Sequence, residues 1–167
     1  SRVTNVLSNA VSYSIHLSVT NVAGSSNSVT KSDCLRAGPA VVYVTTNGAE
    51  TAPFANWAGA SRSIQRAVDA GVDGTLVLVS NGVYSLTSQV VVARGIAVRG
   101  FNGVSNTMVS GNFPFRTNRC FRLSHSNAVL DGLTIMAGVA EYGGGVLLEG
   151  GGSVLNSALV YNSATNA

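Results

Sequence analysis

Residues 119–167 contain one unit written twice, and no other feature of the chain constrains the fold as tightly. Laying Arg119-Cys120-Phe121-Arg122-Leu123-Ser124 on Gly144-Gly145-Val146-Leu147-Leu148-Glu149 gives a shift of 25 residues (144 minus 119) that runs without a gap to the end of the chain. Val129-Leu130-Asp131-Gly132 then falls on Val154-Leu155-Asn156-Ser157, and Leu133, Ile135 and Ala137-Gly138 fall on Ala158, Val160 and Asn162-Ser163. A fixed period of roughly 20 to 50 residues marks stacked repeats, each too thin to bury its own apolar face. Inside the unit stand three short β-type pieces separated by Gly, Asn and Ser, with no helical stretch. That pattern excludes helical and leucine-rich repeats and predicts an all-β solenoid.

The unit reads strand by strand. Phe121 and Leu123, with Val146 and Leu148 one unit later, alternate with Arg122 and Ser124 or with Leu147 and Glu149, as a half-buried first strand should. A second strand ends at Leu130 or Leu155. The pairs Asp131-Gly132 and Asn156-Ser157 then supply residues that accept a left-handed bend. Leu133 and Ile135, or Ala158 and Val160, point inward from a third strand. The shift predicts that Leu123 meets Leu148 and that Ile135 meets Val160, with polar replacement of Leu148 costly. The runs VLDGLTIMAGVAEYGGGVLL and VLNSALVYNSATN resemble the right-handed parallel β-helices of the pectin-lyase-like superfamily. The Gly-Gly-Gly-Val opening and Asn-Ser-Ala ending are most similar to its surface-protein branch, including polymorphic outer-membrane-protein and adhesin repeats. The resemblance covers roughly residues 40–167 and is specific for fold rather than activity.

Composition agrees. The chain of 167 residues has 19 Gly, 10% charged and 46% hydrophobic residues, which suits a Gly-punctuated β protein with one core. Net charge is +3, and the ten basic residues, nine of them Arg, are scattered, so no nucleic-acid or membrane-surface patch is indicated. No apolar run approaches the length of a membrane span. A start at Ser without Met or a signal-peptide pattern leads to the expectation of a fragment or processed piece whose export signal lies elsewhere.

Two regions precede the repeat. Residues 12–21 alternate polar and apolar, with Tyr13, Ile15, Leu17 and Val19 on one face, and a turn at residues 22–27 leads to a second strand at about 28–35. YSIHLSVTNVAGSSNSVTKSDCL resembles the last two strands of a PKD or related immunoglobulin-like domain. A sandwich needs about seven strands, so residues 1–37 are read as the terminal hairpin of an incomplete module, poorly covered by itself, with the boundary at Gly38-Pro39. In the second unit, 38–167, Val41-Val42-Tyr43-Val44 is a short strand. Ser61 is placed to cap a helix from about Arg62 to Ala70, with Ile64, Ala67 and Val68 on its apolar face and Gly71 and Gly74 ending it. The helix and the DGTLVLVSNGVYSL that follows it resemble the N-terminal cap of β-helix proteins, and Trp57 is read as a second lid residue over the open first coil. Gln89–Ala93, Gly95–Gly100 and Thr107–Gly111 supply the earlier strands. Phe101–Asn106 is read as an insertion and residues 112–119 as a loop one residue longer than its counterpart.

The chemistry-bearing motifs are few. HExxH, Cys-x-x-Cys, P-loop, Gly-x-Ser-x-Gly and Rossmann patterns do not occur. His16 and His125 have no orienting partner placed by the sequence. Cys34 and Cys120, one per unit, read as a disulfide or as two idle thiols. Lyases of the resembling fold hold calcium with acidic residues and use Arg or Lys as base, and its glycosidases need close carboxylates. Here one carboxylate, Glu149, accompanies Arg122 outward on the first strands, so no catalytic and no metal residue is assigned. The candidate binding set is Phe113, Phe115, Arg116, Arg119, Arg122 and Glu149. Two Phe rings flanking Pro114 could stack on a sugar, and the arginines could hold a uronate carboxylate in bidentate fashion. Alternatively the rings fold back over the coil and the arginines are solvated.

Two functions follow as expectations. One is a secreted or cell-surface, non-catalytic β-helix protein that contacts a polysaccharide or cell-surface glycan, needs no cofactor and self-associates end to end through an open C-terminal coil. The other is the N-terminal part of a polysaccharide lyase or glycoside hydrolase, with calcium as the cofactor in the lyase case.

Overall fold

The computed structural model describes residues 12–36 and 38–166. Residues 1–11, which open the expected incomplete module, and Ala167 lie outside them, as do the side chains of Tyr13 and Cys34. The chain divides after Gly38 into two units.

In the first unit, β1 (Ser12–Thr20) and β2 (Ser26–Arg36) form an antiparallel pair in which Leu17 lies opposite Val29 and His16 opposite Thr30, with the register shifting between Tyr13 and Ile15. Asn21 closes the turn because its side-chain oxygen accepts from the Ala23 and Ser25 amides, and Gly24 takes a φ of 83° that an L side chain resists. Ile15, Leu17, Val19 and Val29 are all exposed.

The second unit is mostly β. Its strands are β3 (Val41–Val44), β4 (Leu76–Val79), β5 (Gly82–Ser85), β6 (Val90–Val92), β7 (Ala97–Gly100), β8 (Thr107–Ser110), β9 (Phe121–Leu123), β10 (Val129–Asp131), β11 (Thr134–Met136), β12 (Val139–Ala140), β13 (Val146–Leu148), β14 (Ser153–Leu155), β15 (Ala158–Val160) and β16 (Ser163–Ala164). All pair in parallel, in sheets ordered β14-β10-β7-β4-β3, β15-β11-β8-β5 and β13-β9-β6, with β12 beside β16. From β4 onward the chain visits the three larger sheets in rotation, in the order of β4, β5 and β6, while β3 adds a strand to the first sheet only. Between passes, buried side chains lie over buried side chains about 4.8 Å apart. Val42, Val77, Val98 and Leu130 form one such row, Tyr84, Val109 and Ile135 a second, and Val92 and Leu123 a third.

The 25-residue shift holds only for the first strand of the repeat. Leu123 pairs with Leu148 as predicted, but Leu130 pairs with Val154 and Ile135 with Leu159, a shift of 24 (154 minus 130, 159 minus 135). The connection from β9 to β10 spans residues 124–128, whereas that from β13 to β14 spans 149–152, one fewer. Gly151 and Gly152 make the shorter path feasible with φ of 92° and 101°. The slip moves side chains to the other face, so Leu155 lies beside Asp131 and Val160 beside Met136 rather than over the buried row. Left-handed bends recur in the corrected register, at Gly132 and Asn156. The insertion 101–106 joins β7 to β8, where the sequence placed it.

The end of the core next to β3 is closed by α1 (Ile64–Ala70), whose Ile64, Ala67 and Val68 are buried. Its N-cap is Ser63, not Ser61: the Ser63 hydroxyl accepts from the Arg66 amide, while the Ser61 backbone bonds β3 and its hydroxyl accepts from the Ser63 amide. The aromatic lid is Phe54, buried in the core with the Arg66 guanidinium 5.6 Å from its ring centroid. Trp57, expected as a lid, packs edge-on to Tyr43 and Phe101 at 4.7 and 5.3 Å and is 36% exposed. Tyr43 alternates with the buried Val42 and Val44, which places this cluster on the outer side of β3.

At the other end, Leu148 and Leu159 are 48% and 51% exposed, so the costly position is one pass earlier than Leu148. Leu123→Ala should cost about 2–5 kcal/mol through a cavity and Leu148→Ala under about 1.5 kcal/mol, measured by urea unfolding. Equal costs would contradict the packing.

Candidate functional site

Of the candidate residues, Phe113, Phe115, Arg116 and Arg119 sit on the loop from β8 to β9, Arg122 on β9, and Glu149 in the connection after β13. Main-chain bonds shape the loop: the Asn112 amide donates to the Ser110 hydroxyl, Phe113 N to Ala137 O and Arg116 N to Asn112 O, with Asn112 at a φ of 66°. Phe113 and Phe115 do not fold back over the core; they are 52% and 85% exposed. An open cleft of about 620 Å³ is lined by Phe115, Arg116, Thr117, Asn118 and Arg119 on one side and by Thr87, Ser88 and Gln89 from the β5–β6 connection on the other, with Ala140.

The three arginines do not form one clamp. Arg119 is a structural tie. Its Nε donates to the Gly143 carbonyl at 2.9 Å, a terminal nitrogen donates to the Tyr142 carbonyl at 2.6 Å, and the other donates to Gln89 Oε1 at 2.8 Å. Arg122 pairs with Glu149 of the next pass, Nε to Oε2 at 2.7 Å, so each neutralises the other, and neither lines the cleft. Among the described residues nothing accepts from the Arg116 guanidinium, which leaves it as the cation available to a ligand there. Sequence reasoning missed Thr87, Ser88 and Gln89. The register Val90 opposite Phe121 puts Gln89 beside Cys120, so matching consecutive passes would have found them.

Other chemistry is dispersed. Every carboxylate whose side chain is described has its own partners, and no two share one: Glu50 with Arg66 and the Arg62 amide, Asp69 with Gln65, Asp73 with the Gly95 amide, Asp131 with Arg99 and Asn156, Glu141 with Asn166, and Glu149 with Arg122. No group of three or more His, Cys, Asp or Glu suited to a metal occurs among the described residues. His16 Nδ1 bonds the Thr30 hydroxyl, and His125 Nδ1 accepts from the Asn127 amide. Cys120 is a free, buried thiol. Burial pushes it up to about 11, against the weaker pull of backbone hydrogen bonds at Gly111 and Met136. Burial also raises Tyr84, with the Ser80 hydroxyl opposing.

No protein-family model, no curated protein and no solved structure matches the chain.

Two outcomes follow. Arg119→Ala should lose about 1.5–3 kcal/mol of stability, because charged hydrogen bonds joining two connections disappear, whereas Arg116→Ala should stay within about 0.5 kcal/mol of the parent. Urea midpoints compare the two directly. For Cys120 the folded state keeps its proton where the unfolded chain gives it up. Its contribution to stability is therefore full below the ordinary thiol value of about 8.5 and is lost as pH rises towards about 11. Unfolding midpoints measured across that window should fall more steeply in the parent than in Cys120→Ala.

Proposed function

We propose that the second unit is the capped beginning of a right-handed parallel β-helix of the pectin-lyase-like kind, following the end of a PKD or immunoglobulin-like module, in a secreted or cell-surface protein that contacts an acidic glycan without catalysis. The fold part is supported by parallel pairing throughout, by the rotation of the chain through three sheets, and by the closure of one end by α1 and Phe54. The functional part rests on one observation above all: an exposed Phe115 ring and the Arg116 guanidinium, unpaired among the described residues, line the same open cleft, with Ser88, Thr87 and Asn118 as further polar groups. An aromatic face takes the apolar side of a sugar ring, and a guanidinium takes its carboxylate in two parallel hydrogen bonds. Arg119 contributes by stiffening the cleft wall rather than by contact.

The enzyme alternative, a lyase or glycosidase with calcium in the lyase case, has no comparable observation behind it, since the described carboxylates are separate. Self-association through the far end has some support. Among the described residues β13, β14 and β15 each pair on one side only, and Leu148, Leu155, Leu159 and Tyr161 are exposed around them. Among the described residues no helix is long and apolar enough to cross a membrane.

Titration with uronate oligosaccharides tests the glycan reading. Binding should weaken by about tenfold or more in Arg116→Ala, weaken in Phe115→Ala, and persist in Arg122→Ala. No binding by the parent, or equal binding by all three variants, would overturn it.

A further inference from the structure

The edges of the three sheets nearest α1 are treated unequally. The edge of β3 is satisfied by the chain itself: Tyr43 N donates to Phe54 O at 2.9 Å, Thr45 N to Ser61 O at 2.9 Å, and Ser61 N to Tyr43 O at 3.0 Å. The edge of β6 is satisfied by a side chain of α1, where Gln65 Oε1 accepts from Val91 N at 2.6 Å and Gln65 Nε2 donates to Val91 O at 3.3 Å. Gln65 thus stands in for one residue of a missing strand. The edge of β5 has no such cover. Gly82 N donates to Asn106 O and Leu86 N to Ser110 O across to β8. Hydrogen bonding alternates along a parallel strand, so the N–H and C=O groups of Val83 and Ser85 face away from β8. No described residue pairs with them there. Beside this edge lies a cleft of about 380 Å³, with Thr46, Arg62 and Gln65 on one side and Ser85, Leu86 and Thr87 on the other.

We propose that the free edge of β5 takes up an extended peptide from another protein as an added parallel strand, with an acidic residue of that peptide near Arg62. The chemistry of the slot selects the occupant. It lies between Thr46 and the residues that open α1 on one side and β5 on the other, and the outward main-chain groups of Val83 and Ser85 call for the backbone of an extended segment. Main-chain hydrogen bonds to Val83 and Ser85 supply the pairing, as in other cases of strand addition to a sheet edge. Arg62 supplies the charge preference: among the described residues it is the one ionised side chain lining the cleft, and only its Nε is engaged, on the Gly48 carbonyl at 2.8 Å. The slot adjoins the Phe115 cleft and shares Thr87 and Ser88 with it, but the inference does not need the glycan reading, because Arg62, Val83 and Ser85 line the slot alone.

The probe is a capped peptide of sequence Val-Ser-Asn-Thr-Met-Val-Ser-Gly, copied from residues 104–111 that already lie along the other edge of β5. A version with a terminal Asp accompanies it. In the free protein the Val83 and Ser85 amides should exchange rapidly, and saturating peptide should slow both by more than about tenfold. Ser85→Pro removes an outward donor without touching the bonds to β8 and should abolish binding. The peptide N-methylated at alternate residues should fail likewise, which keeps the test valid if the proline variant does not fold. The Asp version should bind more tightly at low salt, and Arg62→Gln should erase that difference. Slow exchange at Val83 and Ser85 in the free protein, absence of binding by either peptide at millimolar concentration, or unchanged binding after N-methylation would overturn the proposal.

Discussion

The parallel register between successive passes is the constraint from which the rest of the second unit follows. Strands of three or four residues have no stability of their own, and each pass alone would leave its apolar side chains in water. Placing Val98 between Val77 and Leu130, and Val109 between Tyr84 and Ile135, turns single side chains into rows with no solvent between them. Side chains also serve the backbone where the pattern bends. The Ser157 hydroxyl accepts from the Leu133 amide, and Asn162 accepts from the Gly138 amide while donating to the Ile135 carbonyl. A solvent-exposed pass thereby completes the hydrogen bonding of the buried pass beside it.

Much of this was legible because period-2 alternation survives in strands as short as Phe121–Leu123, and because Gly and Asn mark the bends. The register error has a physical cause. Gly150-Gly151-Gly152 carries no side chains by which to count residues, so a connection one residue shorter left no trace in the apolar pattern. With it went the expected Ile135–Val160 contact, replaced by Ile135–Leu159. The helix was placed correctly by its apolar face, but its start was not, since Ser61 and Ser63 are equally good capping residues and only tertiary bonding from Ser61 to β3 decides between them. Trp57 was read as a lid and Phe54 was given no role for a similar reason: both are aromatic residues in an irregular loop, and a left-handed backbone at Phe54, with φ of 61°, accompanies a ring buried in the core.

The candidate site was legible as a loop and not as a constellation. Sequence proximity grouped Arg116, Arg119 and Arg122, yet the partners of Arg119 and Arg122 come from residues 23 to 30 positions away, on neighbouring passes. In a repeat of this period the chemical neighbourhood of a residue is set one pass before and after it. Charge counting along the chain therefore overstates the free cations, whereas Gln89, which has no apolar or catalytic signature, emerges as a wall of the cleft. The same logic separates the covered edge of β6 from the bare edge of β5, since only a residue projecting from α1 reaches the former.

Backbone nuclear Overhauser contacts between the last two passes test the central claim of a shared core held in one register. The register predicts contacts of Leu130 with Val154 and of Ile135 with Leu159, together with Leu123 to Leu148. Contacts of Leu130 with Leu155 and of Ile135 with Val160, or no contacts between these segments at all, would contradict it.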